Sequence, residues 1–260
     1  MLYSIWMVSA LCATALSAPT LTFSSDAAAR PVEMKVLSEY FQMLGSKVQE
    51  GKKMAQAPVC NMNNAVMPVA SPKPLPPPTA GLVLKHVAIG RGTQNYSCGA
   101  NQTAAPVALG ALATLYNASC VASTYPTLLA MLPNVALQFN LTTTNQATLS
   151  PSNLAISGHH YFSNASTPTF NLDTPSLDLG FAPCSKNASV SAPAGAPVGQ
   201  DNKGNGAVAW LKLLTIDGAT GGLEEIYRVN TAGGNPPATC AGMPATFEVQ
   251  YAAEYWFYES

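Results

Sequence analysis

The sequence predicts an all-β domain, an antiparallel sandwich or barrel with one short helix, over residues 81–260. Three observations carry this. The final segment alternates apolar residues at Phe247, Val249, Tyr251, Ala253, Tyr255 and Phe257, which places one face of a strand inward and Trp256 and Tyr258 on the other. Many other short apolar runs are bounded by Gly, Pro and Asn, the punctuation of strands joined by turns. Helical periodicity is almost absent from this part of the chain, which excludes helical bundles and doubly wound α/β folds.

In chain order, Leu82, Leu84, Val87 and Ile89 leading into Thr93-Gln94-Asn95-Tyr96 read as a first strand, and residues 107–116 as a second. Ser123 or Thr124 followed by Pro126 opens one short helix that Pro133 is expected to close near Met131. Residues 137–143, 155–162 and 169–172 read as further strands. Residues 176–205, rich in Gly, Pro, Ala and Ser, read as a long irregular excursion. Residues 207–216 and 223–229 complete the set. Some 180 residues are enough for one sizeable core.

Three regions precede the domain. Residues 1–18 carry an apolar run from Ile5 to Leu16 and then small residues, as a cleaved signal peptide does. The run is shorter than the roughly 20 apolar residues of a membrane span, so no membrane association is expected after cleavage. Residues 19–57 are a helical N-terminal segment and a candidate pro-segment: Val32, Val36, Leu37, Tyr40, Phe41, Leu44 and Val48 recur at helical spacing, Pro31 suits a helix start, and Lys52-Lys53 follows. Residues 58–80 are a Pro-rich linker with Pro76-Pro77-Pro78 at its heart.

Cysteines and sequons point to an extracellular chain. Outside the signal lie Cys60, Cys98, Cys120, Cys184 and Cys240, dispersed and without a CxxC pair, which argues for disulfides and against a zinc or dithiol motif. Their odd number leaves one without an intramolecular partner. Six N-x-S/T sequons stand at Asn95, Asn101, Asn117, Asn140, Asn164 and Asn187. The net charge is −1, which offers no electrostatic footprint for nucleic acid. From Gly92 to Leu172 there is no Asp, Glu, Lys or Arg, yet five of the six sequons lie there. Sugars are therefore expected to keep this face soluble in place of charges.

Several segments taken together, HVAIGRGTQNYSC (86–98), ALATLYNASC (111–120), GHHYF (158–162), YRVNTAGGNPPATC (227–240) and YAAEYWFY (251–258), resemble a secreted fungal family with shorter bacterial relatives, catalogued as a domain of unknown function. Its fungal members are often labelled "malate dehydrogenase". The resemblance covers residues 81–260 and implies a Cys98–Cys240 bridge. The label fails on chemistry. A dinucleotide site needs a glycine turn opening a helix. The nearest candidate, Gly90-Arg91-Gly92-Thr93-Gln94-Asn95, has Asn95 at the third glycine and β-like Tyr96-Ser97-Cys98 after it. No nicotinamide or other cofactor is expected, and Gly90 and Gly92 are assigned to a tight turn or bulge.

His160, Arg228, Asn230 and Trp256 are the candidate ligand-binding residues. Adjacent His159 and His160 on a strand point to opposite faces, so they do not make a metal pair, and no metal site is assigned. No G-x-S-x-G elbow ties a serine to a histidine, and Glu224-Glu225 point apart on a strand, so no catalytic residue is assigned. Arg228 and Asn230 share a parity and, beside Trp256, offer a polar and aromatic face. The reading is an uncharacterised secreted glycoprotein, a non-catalytic module binding a glycan or another extracellular surface component; the alternative is a hydrolase acting on an extracellular polymer through carboxylates or His160.

Overall fold

The computed structural model describes residues 31–54, 60–141 and 147–260. The signal peptide expected at 1–18 and the first part of segment 19–57 lie outside the described residues. Nine strands follow one another in the chain: β1 (Val83–Ser97), β2 (Val107–Asn117), β3 (Thr148–Leu149), β4 (Leu154–Phe162), β5 (Pro168–Thr174), β6 (Leu177–Val190), β7 (Trp210–Thr215), β8 (Leu223–Gly233) and β9 (Thr246–Glu259). Their order in the sheet is β2-β1-β9-β8-β7-β6-β5-β4-β3, all antiparallel, and β2 also pairs with β4. That pairing closes eight strands into a barrel, with β3 attached outside the ring. Of the two all-β architectures expected, the barrel is the one formed.

Alternation along each strand divides the side chains between two cores. Ala88, Leu115, Phe170, Leu172, Leu213, Ile226, Tyr251, Ala253, Tyr255 and Phe257 fill the interior. Val87, Ile89, Tyr116, Tyr227, Val229, Trp256 and Tyr258 face outward, yet are equally buried. Three helices cover them: α1 (Pro31–Lys53), α2 (Ser119–Thr124) and α3 (Pro126–Leu137). In α1 the expected stripe turns Tyr40 into this outer core and sets Val36, Leu37 and Leu44 beside it, while Phe41 and Val48 stay exposed. Lys52 and Lys53 occupy its last turn, where cations complement the helix dipole.

The described part of the segment 58–80 read as a linker, residues 60–80, runs along the barrel wall. A Cys60–Cys120 disulfide pins their start to α2. Near their end, Lys212 Nζ donates to the Pro77 carbonyl (2.9 Å) and Tyr227 Oη to the Pro76 carbonyl (3.1 Å). Thr79 Oγ1 donates to Glu225 Oε1 at 2.5 Å. Glu225 also holds Lys212 at 2.9 Å, with both side chains buried. Burial works to raise the Glu225 pKa, but hydrogen bonds from Thr79, Lys212 and Tyr227 outweigh it and leave the carboxyl below its ordinary value. The second disulfide, Cys98–Cys240, is the one the resemblance implied. Among the described residues Cys184 is the unpaired cysteine, buried inside the barrel, where desolvation pushes its thiol up to about 12.

Four local expectations are corrected. Residues 177–190, expected to be irregular, form the 14-residue strand β6. Gly180, at φ +110°, and Pro183 hid its alternation: the chain needs a glycine there because the Thr220 carbonyl lies where a Cβ would stand. The short helix does not stop at Pro133 but continues to Leu137. Its inner side, including Leu128, Leu129, Leu132, Val135 and Ala136, is buried on the barrel, and this packing outweighs the hydrogen bond that proline removes. The strand expected over 137–143 is therefore absent in its described part. Gly90 and Gly92 lie within regularly paired β1, not in a turn. A Cβ at Gly90 would enter the Tyr255 ring, and one at Gly92 would meet the Leu112 carbonyl and Ala113.

Asn101, Asn140, Asn164 and Asn187 are exposed, while Asn95 and Asn117 are half-buried in strands. The charge-free stretch also exposes Val107, Leu109 and Leu112 on β2. If the exposed sequons carry sugars, enzymatic removal of them is expected to drive self-association at high concentration. Sedimentation that finds the deglycosylated chain still monomeric would refute the idea that sugars shield this face.

Candidate functional site

The barrel interior holds polar groups at two levels. At one, the buried ring of His86 lies between the hydroxyls of Ser157 (2.9 Å from Nε2) and Ser119 (2.9 Å from Nδ1). Burial takes its pKa down to about 4, so the ring is neutral and both nitrogens are satisfied. Eight residues further along β1, roughly 25 Å at the rise of a strand, the barrel opens into a cavity of about 400 Å³.

The cavity is built by alternation on several strands. Gln94 enters from β1, His160 and Phe162 from β4, Phe170 from β5, Leu211 and Leu213 from β7, Arg228 from β8 and Tyr255 from β9. Ala108 and Gly110 of β2 border it, and Lys186 of β6 is an exposed member of its wall. His160 sits opposite Phe170 in the β4–β5 register and stacks on it, with ring centroids 4.3 Å apart. The Tyr255 ring lies 5.7 Å from His160. Tyr255 Oη shares a 2.8 Å hydrogen bond with Tyr251 Oη, so the two buried hydroxyls satisfy each other.

Desolvation above all, opposed by a hydrogen bond to the Thr169 carbonyl and aided by the charge of Arg228, lowers the His160 pKa to about 4. A carbonyl only accepts, so at neutral pH the proton is on Nδ1, 3.0 Å from that oxygen. Nε2 then carries the lone pair and has no partner among the described residues. Arg228 is 9% exposed and donates through Nε (3.2 Å) and Nη2 (2.9 Å) to one acceptor, the Ala209 carbonyl. Among the described residues no carboxylate pairs with it. The buried Nε2 of Gln94 is also without a partner. Neither Asp nor Glu lines the cavity, so the facing acids that glycoside cleavage requires are not found in this wall.

The four sequence candidates divide. His160 and Arg228 meet in the cavity. Asn230 and Trp256 lie on the outer wall, where Asn230 Nδ2 donates to Glu254 Oε1 (2.7 Å) and to the Ala130 carbonyl of α3 (2.9 Å), and Trp256 Nε1 donates to Glu254 Oε2 (2.9 Å). Arg228 and Asn230 do not share a face because a register shift follows Val229 and Asn230 adopts a left-handed φ of 44°. The side chain that period-two alternation sends inward is thereby turned out. Trp256 is fully buried and offers no stacking platform. His159 and His160 do point to opposite faces, exposed and buried respectively. Sequence reasoning missed Gln94, although it shares the inward parity of Gly90 and Gly92, and Lys186, which lay in the segment read as irregular.

Other crevices are less selective in their chemistry. One of about 460 Å³ between residues 65–78 and the barrel wall is lined by Val, Ala, Met, Leu, Pro, Trp and Tyr side chains with no charged group. Another, of about 350 Å³, lies between α1, α3 and residues 193–197 and carries only Glu39 as a charged member. Among the described residues no cluster of three or more His, Cys, Asp or Glu suits a metal ion, and no helix is long and apolar enough to cross a membrane. The two disulfides are those of a chain compatible with an oxidising, extracellular setting.

Compared with curated proteins and with solved structures, the chain matches none. Over residues 78–259 it matches the family described as "Protein of unknown function (DUF3455)", and the chain belongs to that family.

Proposed function

We propose that this chain is an extracellular, non-catalytic binding module whose ligand is a small molecule, free or displayed on a surface, that enters the mouth of the barrel. Eight-stranded barrels are wide enough to hold one small ligand, and about 400 Å³ is at the lower end of the range for small-molecule sites. The observation that carries the reading is the pair of uncommitted polar atoms in this wall. Gln94 Nε2 is a buried donor and His160 Nε2 an acceptor, and neither has a partner among the described residues. An unmet buried polar group costs roughly 1–3 kcal/mol, a cost that a ligand's own polar groups would relieve. A polysaccharide chain is less well suited, since Asn230 and Trp256, the pair that favoured a glycan, are covered by α3 and its neighbours.

The test is a ligand-observed NMR screen of a mixed library, small acids, small neutral compounds and oligosaccharides, against the native chain and Ala108→Trp. Ala108 is exposed at the mouth, so the indole should obstruct entry without touching the core. Small molecules that bind the native chain and are lost on Ala108→Trp support the reading. A screen without hits, or hits indifferent to the substitution, would refute it.

A further inference from the structure

We infer that the ligand is an organic anion, a carboxylate carried on a compact aromatic or branched apolar body, and that Arg228 is the group that receives its charge. The inference rests on the barrel-mouth reading above and adds the ligand's chemistry. The chain as a whole is slightly acidic at −1, and residues 81–260 hold six bases against nine acids, a net of −3. The cavity reverses this balance: its lining includes Arg228 and Lys186 and neither Asp nor Glu. A guanidinium that is nine-tenths buried ordinarily has a carboxylate partner, because desolvating an unpaired charge is expensive. Here Arg228 donates through Nε and Nη2 to one carbonyl, Ala209 O. It also hydrogen-bonds the Tyr255 hydroxyl, a neutral partner that leaves its charge without a carboxylate among the described residues.

The rest of the wall defines what must accompany the anion. His160 and Phe170 form a stacked pair, Phe162 and Tyr255 stand beside it, and Leu211, Leu213, Ala209 and Pro168 complete an apolar enclosure. Such walls favour a flat or branched hydrocarbon over a heavily hydroxylated ring. Neutral His160, with Nε2 as acceptor, adds a place for one hydroxyl or N–H on that body. Lys186, exposed in the wall, would steer anions toward the opening and fall off with salt. Inorganic phosphate or sulfate would meet the arginine without using any of these walls.

The experiment is calorimetric titration with three acids, benzoate, indole-3-acetate and 3-methylbutanoate, each beside its own primary amide, and with inorganic phosphate. At least one acid is expected to bind the native chain about tenfold or more tighter than its amide, the difference between a charge-assisted and a neutral hydrogen bond. Arg228→Gln should bring that acid to the level of its amide. Arg228→Lys, which keeps charge but loses the planar fork, should fall between. Lys186→Gln should change affinity less than about threefold at moderate salt. The comparison of acid with amide on the unaltered chain holds even if Arg228→Gln folds poorly, and a melting curve for each variant identifies that case. Amides that bind as well as acids, with the Ala108→Trp effect intact, would overturn the anion inference and leave the barrel-mouth reading standing. Phosphate binding as tightly as the acids would overturn the apolar body. Absence of binding by all seven compounds would overturn the inference, while the library screen judges the site itself.

Discussion

Gly92→Ala is expected to abolish accumulation of folded protein, although only one methyl group is added. Gly92 lies between Ala113 of β2 and Tyr251 of β9 in the barrel register. A Cβ there would stand 2.6 Å from the Ala113 Cα and 2.8 Å from its Cβ, and would collide with the Leu112 carbonyl. Two of these obstacles are backbone atoms, which no rotamer change moves aside. Overpacking commonly costs about 1–3 kcal/mol; a clash with paired backbone inside a closed ring belongs in the rarer class above about 4 kcal/mol, a large part of the total stability of a domain. Gly90→Ala is the milder comparison, because its chief obstacle is the ring of Tyr255, a side chain that can shift. The yield of folded protein and the melting temperature of the two variants decide the matter. Gly92→Ala protein obtained at the parent's yield and melting within a few degrees of it would show that the strands are not pinched there.

Acidification from pH 7 to pH 4 should lower stability by several kcal/mol. His86 and His160 are 3% exposed and held near pKa 4 by burial, whereas an unfolded histidine titrates near 6.5. A folded pKa below the unfolded one means that the unfolded chain binds more protons between those values. The stabilisation is therefore complete above about pH 6.5 and lost as pH falls toward 4, at roughly 3 kcal/mol for each ring. Glu254 acts in the opposite sense. Burial raises its pKa to about 6 despite hydrogen bonds from Asn230 and Trp256, so its contribution is complete below the unfolded carboxyl value near 4.3 and disappears as pH rises through 6. That is worth roughly 2 kcal/mol, too little to offset two histidines. Glu225, held below its ordinary pKa, adds a further loss as pH drops below the usual carboxyl range. Urea midpoints measured across this window should fall on the acid side, and Glu254→Gln should steepen the fall by removing the opposing group. A flat profile would mean that the two imidazoles are not buried in the neutral form.

How far the sequence revealed this architecture depends on how strictly each strand alternates. β1, β2, β4, β5, β7, β8 and β9 all coincide with runs visible in the sequence, and the inward parity of Tyr251, Tyr255 and Phe257 was readable directly. β6 was not, because Gly180 and Pro183 interrupt its pattern for reasons that lie in its neighbours. Closure was not readable either. It depends on β2 meeting β4 across α2 and α3, a long-range pairing that periodicity does not encode. The outer faces of β8 and β9 are as apolar as their inner faces because helices and residues 60–80 cover them. Two-sided apolar strands conceal which side is the barrel interior. His160 and Arg228 were identifiable as unusual residues, but their meeting required the closed ring. Asn230 was misplaced by a single backbone irregularity that a count of two cannot detect.

The position of β9 has a consequence for how the molecule comes into being. This strand, latest in chain order, is hydrogen-bonded between β1 and β8, with Val83 facing Glu259. The ring therefore stays open along β1 until residues 246–259 have left the ribosome. Until then the aromatic staves on either side of the gap have no neighbour, and loop-closure entropy over most of the domain must be met in a single late step. A chain truncated before residue 246 would be a cask without one of its staves.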